Sequence, residues 1–207
     1  GSGYIYANGG NGEGKSGGGS GGKISGDYTE NIDFVLTSEH IKTVGGQGGW
    51  TPTLYGGPGT VYTKQKVDSD LGSLLIENDS RTGRGMNLTS GEWNLNNLTI
   101  GNNVTNWVES DLENGNGIVF NISDKFELKT GAQLLGSAKG FPALQGPGNG
   151  EVGLGQSGGG GGANGGNGGY GEGDGEYDGA LGGVKYGEQL QPLTLGSGGG
   201  KIGRAHV

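Results

Sequence analysis

The chain has 207 residues, of which 55 are glycine, with hydrophobic residues at 29% and aromatics at 7%. So much backbone without side chains leaves too little apolar surface to offset chain entropy in an ordinary globule, which disfavours a conventional soluble enzyme. The formal charge of -8, the absence of cysteine and the lack of any run of 18 apolar residues argue against a nucleic-acid or anionic-lipid partner, thiolate or disulfide chemistry, and a membrane-spanning helix.

The chain begins at Gly1 with neither an initiator methionine nor a signal segment, as a mature product or a piece of something longer would. Within residues 1–70 the sequence repeats itself. Ile5-Tyr6-Ala7-Asn8-Gly9-Gly10-Asn11-Gly12 aligns with Ile41-Lys42-Thr43-Val44-Gly45-Gly46-Gln47-Gly48, 36 residues on, and Gly22-Lys23-Ile24-Ser25 aligns with Gly59-Thr60-Val61-Tyr62, 37 residues on. Each unit reads as a short strand, a glycine-rich excursion, and a strand resuming after the glycines. A third resumption is expected at Gly199-Gly200-Lys201-Ile202.

Residues 71–144 carry far less glycine and alternate with period two. Trp93 and Leu95, then Leu98 and Ile100, then Ile118, Phe120 and Ile122, then Phe126 and Leu128 are separated by polar residues, the pattern of strands with one buried face. Gly101-Asn102-Asn103 and Asn114-Gly115-Asn116-Gly117 read as the turns between them. No segment has a helical period, and the glycine load opposes helix.

Residues 145–207 return to high glycine content. Gly159, Gly162, Gly165, Gly168 and Gly171 fall three apart, the repeat of the polyproline II helix, so this stretch is expected to form such helices packed through their glycine faces rather than a flexible linker. Pro147, Pro192, Leu190, Leu193 and Leu195 read as anchors of this region. The fold class is all-β: a parallel β-helix with glycine-rich loops that can pack as polyproline II helices, in three segments, 1–70, 71–144 and 145–207. Coil-on-coil stacking pairs the backbone between layers and needs less side-chain volume than a globule. The open ends of such a stack, expected at Gly3-Tyr4-Ile5-Tyr6-Ala7 and at Lys201-Ile202, would promote end-to-end association.

Tyr4-Ile5-Tyr6-Ala7-Asn8-Gly9-Gly10, Gly56-Gly57-Pro58-Gly59-Thr60-Val61-Tyr62, Gly72-Ser73-Leu74-Leu75-Ile76-Glu77-Asn78 and the stretch from Tyr186 to Gly200 resemble the glycine-rich β-helical repeats of very large secreted and cell-surface proteins of microbial eukaryotes and some bacteria. The resemblance covers most of the chain and implies an extracellular structural or adhesive role without catalytic residues. The glycine triplets also bear a more distant likeness to phage tail-tip adhesins built from polyproline II sandwiches.

Five Asn-x-Ser/Thr sequons, at Asn78, Asn87, Asn97, Asn103 and Asn121, are candidate glycosylation sites if the chain passes through a eukaryotic secretory pathway, and otherwise asparagine-rich turns. Glu172, Asp174, Glu176 and Asp178 are candidate metal ligands in a glycine context: Gly168-Gly169-Tyr170-Gly171-Glu172 starts like a calcium-binding nonapeptide repeat, but Gly173 stands where the liganding aspartate belongs. A solvated acidic loop is therefore favoured over a Ca²⁺ site, and no metal or cofactor is expected. Trp50, Tyr170 and Tyr177 could stack on sugars, although anchoring of glycine loops is the plainer role for an aromatic here.

His40 and His206 are far apart, no serine lies in a nucleophile elbow, and no pair of the 21 acids is singled out. Gly14-Lys15-Ser16 lacks the spacing and the helix of a phosphate loop. The expected function is that of a non-enzymatic structural segment of an extracellular fibre or sheath, assembling with copies of itself through open β-helix edges. The alternative is an adhesin module binding cell-surface glycans; a polysaccharide lyase comes third.

Overall fold

The computed structural model describes residues 3–29, 40–50, 54–66, 70–188, 190 and 193–203. Pro192 and His206 lie outside the described residues. Among the described residues there is no helix; ten strands form three sheets, and their pairing is mostly parallel. The strands are β1 (Ile5–Tyr6), β2 (Lys23–Tyr28), β3 (Ile41–Lys42), β4 (Gly59–Gln65), β5 (Gly72–Glu77), β6 (Met86–Leu88), β7 (Gly91–Ile100), β8 (Thr105–Val108), β9 (Ile118–Leu128) and β10 (Gln133–Leu135).

Backbone contacts divide the chain into two compact units. The first comprises Gly1–Leu88, Glu92–Trp107 and Phe120–Leu135; the second comprises Thr89–Gly91, Val108–Val119 and Gly136–Val207. Segments 1–70 and 71–144 of the sequence reading thus share the first unit over most of their length.

In the first unit the sequence repeat becomes a register. β1 pairs with β3 in parallel, Ile5 beside Ile41, and β2 pairs with β4 in parallel, Lys23 beside Thr60. The same 36-residue offset governs the excursions between them: Asn8 Oδ1 accepts the Val44 N–H and Asn11 Oδ1 the Gln47 N–H. There the Gly19 N–H donates to the Gly10 carbonyl, Gly46 to Gly19 and Gly56 to Gly46, so extended glycine segments bond sideways to one another.

The chain then reverses. β4 pairs with β5 antiparallel, Val61 beside Leu75, which corrects the expectation of uniformly parallel winding. Beyond that reversal β5 and β7 run parallel, as do β8 and β10. β5, β7 and β9 are neighbours in the five-stranded sheet, while β6, β8 and β10 are neighbours in the three-stranded one. The chain therefore passes from the first sheet to the second three times.

β5 and β7 pair in parallel with Leu74 beside Leu98 and Ile76 beside Ile100. The sequence alternation stumbles between Leu95 and Leu98, and the register shifts at the same place, from Gly72–Leu95 to Ser73–Asn97. Asn96 is the extra residue of a β-bulge, which restores the apolar face after the stumble. Ile76, Leu98, Ile100, Leu88 and Val104 are fully buried here, and each such side chain contributes about 1.5–3 kcal/mol of transfer free energy. Gly85 leaves room for the Trp107 ring, which a Cβ would strike.

β9 is half-buried at Ile118, Phe120 and Ile122, as expected, but departs from the expectation at its far end. It is the outer strand of its sheet, and Phe126 and Leu128 each remain 47% exposed because no further strand covers them among the described residues. The rings of Phe120 and Phe126 lie 5.8 Å apart, whereas six residues of straight strand span about 20 Å, so β9 bends between them.

In the second unit the extended glycine segments bond at every third residue. Gly158 and Gly161 donate to Glu172 and Gly169; Gly168 and Gly171 donate to Gly183 and Ala180; Ser197, Gly200 and Gly203 donate to Ala163, Gly160 and Ser157. Three residues is the polyproline II repeat, whose backbone has no internal bonds and must find partners sideways. Segment 157–163 is central, and it buries Ser157, Gly160 and Ala163 in turn.

Two expectations for this region change. The glycines from Gly159 to Gly171 do not lie on one straight segment, because the chain bends at 164–166 and runs back, with Asn164 donating to the Gly166 carbonyl. Nor do Gly199–Ile202 resume a strand. They form another bundle segment, in which the Lys201 carbonyl accepts the Gly153 N–H, so Lys201-Ile202 is not an open strand edge, whereas β9, at the end of its sheet, is one.

Candidate functional site

The acidic run does not converge. Glu172, Asp174, Glu176 and Asp178 are exposed, and no group of three or more His, Asp or Glu side chains among the described residues is placed to share an ion. Asp174 closes its own loop instead: Oδ1 accepts the Glu176 and Tyr177 N–H groups and Oδ2 accepts that of Gln156. These bonds, the one from Tyr177 foremost, hold its carboxyl below the usual aspartate range. Asp111 behaves alike, lowered chiefly by the Asn114 side chain.

The sequons differ in exposure: Asn78 is buried and Asn97 half-buried, while Asn87, Asn103 and Asn121 are exposed. Asn78 is 1% exposed and its amide is bonded on both sides, so the folded chain withdraws it as a glycan acceptor, correcting that expectation. The Asn97 amide donates to Ser73 Oγ, that of Asn103 to the Ser80 carbonyl, and that of Asn121 to Asn94 Oδ1. Asn87 lies exposed on β6. The alternative reading, asparagine at turns, fits Asn103, whose φ of 57° is the left-handed conformation asparagine tolerates.

Of the aromatic candidates, Trp50 is 72% exposed with the Lys15 ammonium 5.5 Å from its ring centre, and Tyr170 is 80% exposed. Tyr177 lies over Gly155, where a Cβ would meet its ring. Trp50 belongs to the first unit and the two tyrosines to the second. The second unit also has an open groove of about 960 Å³, lined by Leu144, Val152, Leu154 and Ile202 beside Lys201.

Sequence reasoning passed over Glu77 and Asn106. Glu77 closes β5 at 7% exposure, with Oε1 lacking any hydrogen-bond partner. Burial, then Asp79, pushes its carboxyl pKa above the ordinary 4.5, against the pull of Lys129 and Lys42. The folded chain thus holds this proton more tightly than the unfolded chain. Its contribution to stability is full in acid and is lost as pH rises from 4.5 toward the raised value. Glu77→Gln should therefore raise the melting temperature at pH 7 by about 2–4 °C, the equivalent of about 1 kcal/mol, with the gain shrinking toward pH 4. An unchanged melting temperature at pH 7 would show that Lys42 and Lys129 fully compensate the carboxylate. Asn106, fully buried on β8 beside Leu134 with both amide atoms unpaired, is a further buried polar group. The one signal for Glu77 was its position ending the apolar run Leu74-Leu75-Ile76; for Asn106 there was none.

The surface with most to offer a partner is the free side of β9. Its backbone groups on that side have no strand beside them among the described residues, and Phe126 and Leu128 stand open on the face that continues Leu98 and Ile100. No protein-family model, no curated protein and no solved structure matches this chain.

Proposed function

We propose that this chain is a non-enzymatic structural segment of an extracellular fibre or sheath, in which the passes 72–88, 91–108 and 118–135 are turns of a β-helix and copies associate through its open edges. The observation that carries this reading is the uncovered end of the stack. Strands that bury Leu98 and Ile100 completely are followed by β9, which leaves the matching positions half open. An unpaired edge with apolar side chains beside it is a template for another chain. The lateral bonding of the glycine segments supports the same role, since it gives form with little side-chain volume.

The resemblance to glycine-rich repeats of secreted proteins agrees with this role and with an extracellular location. The purified chain should form linear assemblies in electron micrographs, and its mean mass by light scattering should rise with concentration. A monodisperse monomer across the whole concentration range would refute the reading.

A further inference from the structure

The partner of the β9 edge can be specified further, resting on the reading that coil edges are the assembly surfaces. We infer that β9 pairs antiparallel with β9 of a second copy, about a two-fold axis through Phe126. Three observations lead there.

The first is backbone parity. The Lys129 N–H donates to the Ile100 carbonyl, so Lys125, Glu127 and Lys129 direct their backbone groups toward β7. Asp124, Phe126 and Leu128 direct theirs outward. Phe126 can therefore exchange both hydrogen bonds with Phe126 of a second copy, the arrangement found at the centre of an antiparallel pair.

The second is charge. With Phe126 at the centre, Lys125 falls opposite Glu127 of the second copy and Glu127 opposite its Lys125. These are non-hydrogen-bonded positions, where side chains approach most closely. Within one chain Lys125 Nζ and Glu127 Oε2 already lie 3.2 Å apart on the solvent face, so the pair needs only to exchange partners. Charges on an edge strand usually guard it against adding strands. Here they guard it selectively, since centring the pair on Lys125 or on Glu127 would set like charges against each other.

The third is the apolar face. Phe126 and Leu128 share the side that continues Ile100, and both are 47% exposed. The two-fold brings Phe126 of each copy together and covers the open end of both stacks at once. An isologous contact of this kind closes on itself, so a fibre would alternate this joint with a different one at the far end of the stack.

Sedimentation equilibrium of the full chain, run on the wild type, Lys125→Glu and the double variant Lys125→Glu/Glu127→Lys, tests the pairing. Lys125→Glu sets four carboxylates against each other across the joint and should weaken dimerisation by about tenfold or more. The double variant restores the pairing with the signs exchanged and should recover wild-type association. The exposed pair within one chain contributes little to folding, so the melting temperature of the monomer should stay level across the three proteins. Association that ignores Lys125→Glu would overturn the β9 joint while leaving edge-mediated assembly intact. A wild type that stays monomeric throughout would overturn both.

Discussion

Alanine at Gly160 should cost the chain about 3 kcal/mol or more, while alanine at Gly169, nine residues away in the same glycine-rich stretch, should be neutral or slightly stabilising. Neither glycine has the positive φ that would itself strain an alanine, so the contrast isolates contact from conformation. A Cβ on Gly160 would fall inside 3.0 Å of the Leu181 carbonyl. That atom is backbone, and relief requires segment 157–163 to move away from its neighbour. Gly160 donates to the Glu151 carbonyl and accepts from Gly200, so the movement would loosen both of those bonds as well. At Gly169 a Cβ would meet nothing within 4 Å, and the loss of unfolded-chain freedom is the main effect left. Gly183, whose Cβ would meet the Gly148 carbonyl, should behave like Gly160. Urea midpoints for the three variants decide the matter. Similar midpoints for Gly160→Ala and Gly169→Ala would mean that close backbone approach does not hold the bundle.

This contrast also marks where the sequence was legible. Spacing revealed the 36- and 37-residue registers, because strands that stack residue on residue must repeat their apolar and glycine positions. It revealed the period of three, because glycine, with an occasional serine or alanine, fills the positions where backbones touch. It could not reveal where the three-residue segments turn. Asn164-Gly165-Gly166 and Asn167-Gly168-Gly169 have the same composition, yet the first makes a bend and the second joins the bundle. The reversal between β4 and β5 was hidden for a similar reason, since period two looks the same in either chain direction. The candidate site was legible only in part. Phe126 and Leu128 announced a strand face, but their exposure depends on β9 being the outer strand, a property of strand order that no local pattern carries.

Asn78 is where this local blindness hides the largest single side-chain effect. Its sequon suggests a solvent-facing acceptor, whereas the fold uses it as a junction. Oδ1 accepts the Gly45 N–H at 2.7 Å, and Nδ2 donates to the Gly56 carbonyl at 3.2 Å and to the Arg81 carbonyl at 3.3 Å. One amide thereby links two glycine segments to the turn that follows β5. Asn78→Ala would leave one donor and two acceptors without their partner in a buried place, and such groups cost about 1–3 kcal/mol each when they stay unpaired. With some relaxation toward water at Arg81, a loss of about 3–5 kcal/mol is expected, against about 0.5 kcal/mol or less for Asn87→Ala on the exposed β6 position. Asn78→Asp separates geometry from charge: it keeps the acceptor for Gly45 but loses both donated bonds and buries a carboxylate near Glu77, so it should recover stability as the pH is lowered and the acid protonates. Thermal unfolding of the three variants at pH 4 and pH 7 would reveal this order. Equal melting temperatures for Asn78→Ala and Asn87→Ala would show that the glycine segments hold together without their asparagine junction.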